Sequence, residues 1–123
     1  LHHRRLQFGA LAHIVLPNSN RQKASPGKFA DAAIRYMLDS FQQRGIKSIG
    51  LTAKLIGGAC MFGIEGPLQI GESNVRTITQ ILEAASVRIV GSDVGGTSGR
   101  RITFDCSTGR INIETIGQPQ RTL

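Results

Sequence analysis

The chain has 123 residues, 40% of them hydrophobic, the size of one ordinary domain over 1–123 that buries roughly two-thirds of its unfolded surface without a disulfide or metal staple. Composition excludes a membrane span, since no run reaches the ~18 apolar residues one needs. It also excludes a disulfide-rich secreted scaffold and a structural zinc, because the 2 cysteines form no CxxC or His/Cys cluster. The net charge of +7, from 15 Lys and Arg against 8 Asp and Glu, is spread along the chain. It lacks the arginine-rich arm or interleaved aromatics of a nucleic-acid binder, so it points to an acidic protein surface. A cytoplasmic location is expected.

The opening LHHRRLQFG has no methionine and starts close to or inside a strand, which reads as a trimmed or partial piece of a longer protein. His2 and His3 read as native residues or an added remnant rather than a metal site. Residues 4–16 read as a strand that Pro17 stops. Within ALAHIVLP (10–17), His13 alternates in phase with Leu11 and Val15, while Ala12, Ile14 and Leu16 take the other face. Two readings of His13 stay open on this pattern, a satisfied core histidine and a general base. Residues 17–28 form a polar loop long enough to be functional. Ser25 as N-cap and Pro26 at the first helical position begin a helix to about Arg44. Its apolar stripe is Ala30, Ile34, Met37, Leu38 and Phe41, and Gly45 stops it.

Residues 46–56 read as a strand with Ile49, Leu51, Ala53 and Leu55 on one face and Lys54 on the other. GGACMFGIEGPLQIG (57–71) is a glycine-punctuated connection or irregular strand. A helix over about 72–85 carries the stripe Val75, Ile78, Ile81, Leu82 and Ala85. VRIV (87–90) is a strand, SDVGGTSG a loop, and 100–106 with 110–116 a hairpin around Ser107-Thr108-Gly109. In the order β-α-β-α-β-β-β, with two main helices, helix–strand alternation gives way to a hairpin, which predicts a mixed rather than a purely parallel sheet.

Few residues offer chemistry. GGTSGR (95–100) resembles an anion-cradling turn but matches no phosphate-binding pattern and precedes a hairpin rather than a helix. Gly57-Gly58 permits close approach of a neighbour or ligand. Cys60 is a nucleophile candidate with His13 as its base, or else a small buried hydrophobe, and Cys106 reads the second way more strongly. No Gly-x-Ser-x-Gly elbow is present, and Glu65, Glu72, Asp93 and Asp105 show no pairing.

Five segments read together carry a resemblance: GALAHIVLP (9–17), PGKFADAAIRYML (26–38), AKLIGGACMF (53–62), IGESNV (70–75) and DVGGTSGRRITFDCSTGRINI (93–113). Each is weak alone. In this order the set resembles CheD, the chemoreceptor glutamine deamidase family of bacterial and archaeal chemotaxis, over almost the whole chain. The resemblance implies an α+β fold of layered mixed β-sheets, similar to the cytotoxic necrotizing factor type of cysteine hydrolase. It implies hydrolysis of glutamine carboxamides on the cytoplasmic helices of chemoreceptors, with no metal or cofactor, and the phosphatase CheC as a competing partner. His13 matches the family's catalytic histidine. Gly57, Gly58, Ala59 and Asn74 are expected to border the substrate site. The family nucleophile lies in a Gly-Ser-Cys segment upstream of the histidine, and Cys60 does not match it. The expectation is therefore that the nucleophile-bearing N-terminal segment, with its strands, belongs before Leu1. The other reading is a non-catalytic module that binds chemoreceptor or CheC.

Overall fold

A computed structural model of the protein describes residues 1–19, 25, 27–60 and 70–123. The chain opens with a tight hairpin rather than the long strand expected over 4–16. His2–His3 (β1) pairs antiparallel with Phe8–Gly9 (β2). The polar run Arg4-Arg5-Leu6-Gln7 turns between them, with Gln7 at positive φ and the His3 ring accepting the Leu6 N–H. Residues 10–15 continue without forming a regular strand.

Helix α1 spans Ala30–Gln42. It starts later than Ser25-Pro26 predicts. Phe29 is buried and extended, and forms a parallel bridge with Leu16, so it serves as the boundary without a side-chain cap. Pro26 lies outside the described residues. Ala30, Ile34 and Phe41 of the predicted stripe are buried, with Met37 and Leu38 packed against the core they form. The helix stops as Gly45 predicts. Gly45 has φ +73 and its N–H donates to the Gln42 carbonyl, while Ile46 N–H donates to Phe41. This is a Schellman closure, which needs a left-handed residue and therefore suits glycine.

A 3-10 turn at Ser48–Gly50 comes next and corrects the predicted 46–56 strand. Ile49 falls in this turn and is 78% exposed, off the face where Leu51 and Ala53 are buried. Strand β3 is Thr52–Gly57. Helix α2 spans Ile70–Ala84, and β4 is Arg88–Val94, longer than VRIV alone. Arg100–Phe104 (β5) and Ile111–Thr115 (β6) form the predicted hairpin, and a short β7, Arg121–Thr122, adds a strand not read from the sequence.

Two sheets result. One is mixed, in the order β2-β1-β3-β4, with β3 and β4 parallel; the other is antiparallel, in the order β5-β6-β7. The β3–β4 register slips once: Ala53 faces Ile89 but Lys54 faces Gly91, leaving Val90 as an extra residue. The core lies between the helices and the first sheet, built on Ile34, Phe41, Ile46, Leu51, Ala53, Leu82 and Val87. Phe8 meets Phe41 edge-on at 5.2 Å. The second sheet covers the opposite face. His2 Nε2 lies 2.9 Å from the Cys106 carbonyl, its ring meets Phe104 edge-on, and Lys54 Nζ donates to the Gly109 carbonyl at 2.7 Å. The layers are helices, mixed sheet, antiparallel sheet.

Candidate active site around His13

His13 sits on the extended segment 10–15, and its period-two pattern survives without a regular strand. Leu11, His13 and Val15 are exposed while Ala12, Ile14 and Leu16 are half-buried. Leu11 is 59% and Val15 48% exposed, so the apolar face that His13 shares is open and the core-histidine reading is corrected. Among the described residues no hydrogen bond reaches its ring.

The segment is pinned on either side of His13. Upstream, Ala10 N–H donates to the Leu1 carbonyl. Downstream, the N–H groups of Val15 and Leu16 both donate to the Lys28 carbonyl, and Ala30 N–H donates to Leu16. Asp31, in the first turn of α1, holds Ser19: its carboxylate accepts the Ser19 N–H at 3.0 Å and the Ser19 hydroxyl at 2.8 Å. Burial works to raise the Asp31 pKa. The bonds from the Ser19 hydroxyl, the Ala32 amide and the Ser19 amide together outweigh it and hold the carboxyl below its ordinary range. Nothing in the sequence pairs Asp31 with Ser19 except that a first-turn carboxylate is a natural acceptor.

Asn74 joins the His13 segment to α2. Its Nδ2 donates to the Val15 carbonyl at 3.1 Å, and the side chain is buried, with Oδ1 lacking a partner among the described residues. The start of α2 lies against the end of β3 at Gly58. A methyl on Gly71 would overlap the Gly58 carbonyl oxygen and fall 2.6 Å from its carbon; one on Gly58 would meet Val75 at 2.9 Å. Gly57 accepts the Gly95 N–H and Cys60 N–H donates to Gly96, both at 2.8 Å. Gly57, Gly58 and Asn74 are thus brought together at one end of the parallel β3–β4 pair, and Asn74 ties them to the extended segment that carries His13. Ala59 follows, half-buried.

Other candidates resolve differently. Cys60 and Cys106 are both exposed, which corrects their reading as buried hydrophobes: Cys60 follows the end of β3 and Cys106 the end of β5, where neither meets the core. The GGTSGR loop is a turn between strands. Its Arg100 is committed to Asp93 at 2.9 Å, and Arg121 reaches the other oxygen of Asp93 at 2.8 Å. Asp93, for which sequence spacing offers no pairing, is therefore doubly paired. Glu72 is exposed in the first turn of α2, and Glu65 lies outside the described residues. Among the described residues no three His, Cys, Asp or Glu side chains converge as a metal site requires.

The sequence pattern described as CheD chemotactic sensory transduction matches residues 15–115. The chain belongs to the CheD family. The matched stretch begins two residues past His13. Among relatives, "Probable chemoreceptor glutamine deamidase CheD" of Desulforamulus reducens is 39% identical over 122 residues, covering 95% of this chain and 74% of that protein. The CheD relative of Clostridium botulinum strain Hall, with the same name, is 37% identical over 115 residues, covering 89% of this chain and 71% of its own. The α+β architecture of the described residues, two helices and two layered sheets, accords with the fold expected from the CheD resemblance.

Proposed function

We infer that this protein deamidates glutamine side chains of chemoreceptors, converting them to glutamate with release of ammonia. The observation that carries this reading is family membership over most of the chain, with relatives named as chemoreceptor glutamine deamidases matching up to 95% of it. An exposed His13 on a pinned extended segment supports it, since a base that serves a protein substrate has to be reachable from outside.

In this reading His13 is the general base. It takes the proton of a cysteine thiol supplied from upstream of it, because the thiolate is the effective nucleophile. The sulfur attacks the carboxamide carbon, and backbone N–H groups stabilise the oxyanion. The C–N bond breaks as protonated His13 gives its proton to the leaving ammonia. Water, deprotonated by His13, then cleaves the thioester to glutamate and restores the thiolate. Gly57, Gly58, Ala59 and Asn74 border the substrate. Chemoreceptors are the substrate partner, CheC is a competing one, and the cytoplasm is the place of reaction. The +7 charge favours encounter with a receptor helix rich in acidic groups.

The test is ammonia release from purified receptor fragments by the full-length protein and its His13→Ala variant. Activity should fall about 10²- to 10⁴-fold, the usual worth of a positioned acid–base group. Stability should change by less than about 0.5 kcal/mol, because His13 is exposed and its ring makes no hydrogen bond among the described residues. Full activity in the variant would overturn the assignment.

A further inference from the structure

We propose that Asn74 is a positioning residue for His13, a role that rests on the deamidase reading above. Asn74 is 8% exposed and, among the described residues, makes one side-chain hydrogen bond, from Nδ2 to the Val15 carbonyl. Its Oδ1 is buried among the described residues without a donor. A buried amide oxygen left unpaired is unfavourable, and an apolar side chain of the same shape would avoid the penalty. Its partner Val15 is 48% exposed, so the bond ties the amide to a surface segment rather than to the core.

The amide does fix geometry. Val15 is gripped on both sides, its N–H by the Lys28 carbonyl and its carbonyl by Asn74. His13 lies two residues away on the same face, roughly 7 Å along an extended chain. The helix that carries Asn74 is in turn packed on Gly58 through Gly71 and Val75. Asn74 therefore sets the distance between the His13 segment and the β3 end, the two sides of the site. A base must lie within hydrogen-bond reach of its proton, and a displacement of about 1 Å costs on the order of 100-fold in rate.

The experiment compares full-length wild type with Asn74→Leu, which keeps the branched shape and removes the amide. Asn74→Ala, which suits a helix, serves if the leucine does not fold. Three readouts are taken: kcat and KM on receptor fragments, the melting midpoint, and the ring resonance of His13 by NMR. The expected result is kcat lower by about 100-fold with KM within about twofold. The melting midpoint should be unchanged or higher in the leucine variant, and the His13 resonance shifted or doubled. An unchanged kcat would overturn the proposal. So would a kcat loss that tracks a lower melting midpoint while the His13 resonance stays put, since that is a merely structural role. If wild type releases no ammonia, the deamidase reading fails, and the His13 resonance alone decides the placement: moved in the variants it stands, unmoved it falls.

Discussion

Asp105 closes the β5–β6 hairpin with its carboxylate. One oxygen accepts the Ser107 N–H and hydroxyl at 2.8 and 2.7 Å, the other the Thr108 hydroxyl at 2.8 Å. The Ser107 hydroxyl, then that of Thr108, then the Ser107 amide pull its pKa down to about 2. A depressed carboxylate stabilises the fold fully above its unfolded value of roughly 3.9 and loses that contribution as pH falls through the folded one. The Ser107 amide resonance should therefore titrate with a midpoint near 2, and this titration should vanish in Asp105→Asn. A midpoint near the ordinary value would remove the proposed bonding. The turn itself was legible, because Ser107-Thr108-Gly109 marks it, yet the role of Asp105 depends on hydroxyls whose rotamers no spacing rule gives. His13 shows the same split. Period two placed it beside Leu11 and Val15, but only packing reveals that this face is open. Asn74 could not be linked to Val15 by any local rule, because the two are separated by 59 positions.

Among the elements, those with strong periodicity matched the structure, and those decided by distant partners did not. Both helices appear, and they end alike. Ser86, at φ +58, repeats after α2 the closure that Gly45 makes after α1, with Val87 N–H donating to Leu82. The β7 strand escaped notice because two residues carry no alternation, and it exists only through pairing with Asn112 and Ile113. Ile49 misled because an apolar residue in phase with a strand looks buried until a 3-10 turn intervenes. The junction of β3 and α2 allows a direct test. In a free helix Ala would be the better residue at position 71. Here its methyl would run into the Gly58 backbone, so Gly71→Ala should destabilise by about 1–3 kcal/mol. Urea denaturation reads this, and an unchanged midpoint would mean that the junction has slack.

At the scale of the whole molecule the two faces of the mixed sheet are held differently. The helix side is an apolar core, whereas the ties to the second sheet include polar ones from His2, Lys54 and Asp93. Asp93 on β4 binds Arg100 of β5 and Arg121 of β7, so one carboxylate spans three strands in both sheets. Its side chain and that of Arg100 are each 10% exposed, while Arg121 is 48% exposed. Asp93→Ala leaves a nearly buried guanidinium without its partner and should cost about 3–5 kcal/mol. Arg121→Ala should cost less than about 1 kcal/mol, as expected of an exposed pair. Denaturation of both variants checks the order, and equal losses would contradict it. A mixed sheet was legible from the order of elements, and the layered α+β class from the family resemblance. Which strand joins which sheet was not, because that depends on pairings between residues far apart in sequence.

The extra residue in β4 makes this clasp possible. In a regular strand, Ile89 and Asp93 are four positions apart and would point the same way. Ile89 packs against the helix-side core. Past Val90 the strand resumes with its inner and outer sets exchanged, so that Gly91 lies beside Lys54 and Leu123 and Asp93 reaches the arginines of the second sheet. One inserted residue thus lets a single strand present a greasy side chain to one layer and a charge to the other. Removing Val90 would restore a uniform alternation and swing the Asp93 carboxylate toward the isoleucines and leucines of the core, away from both of its counter-ions.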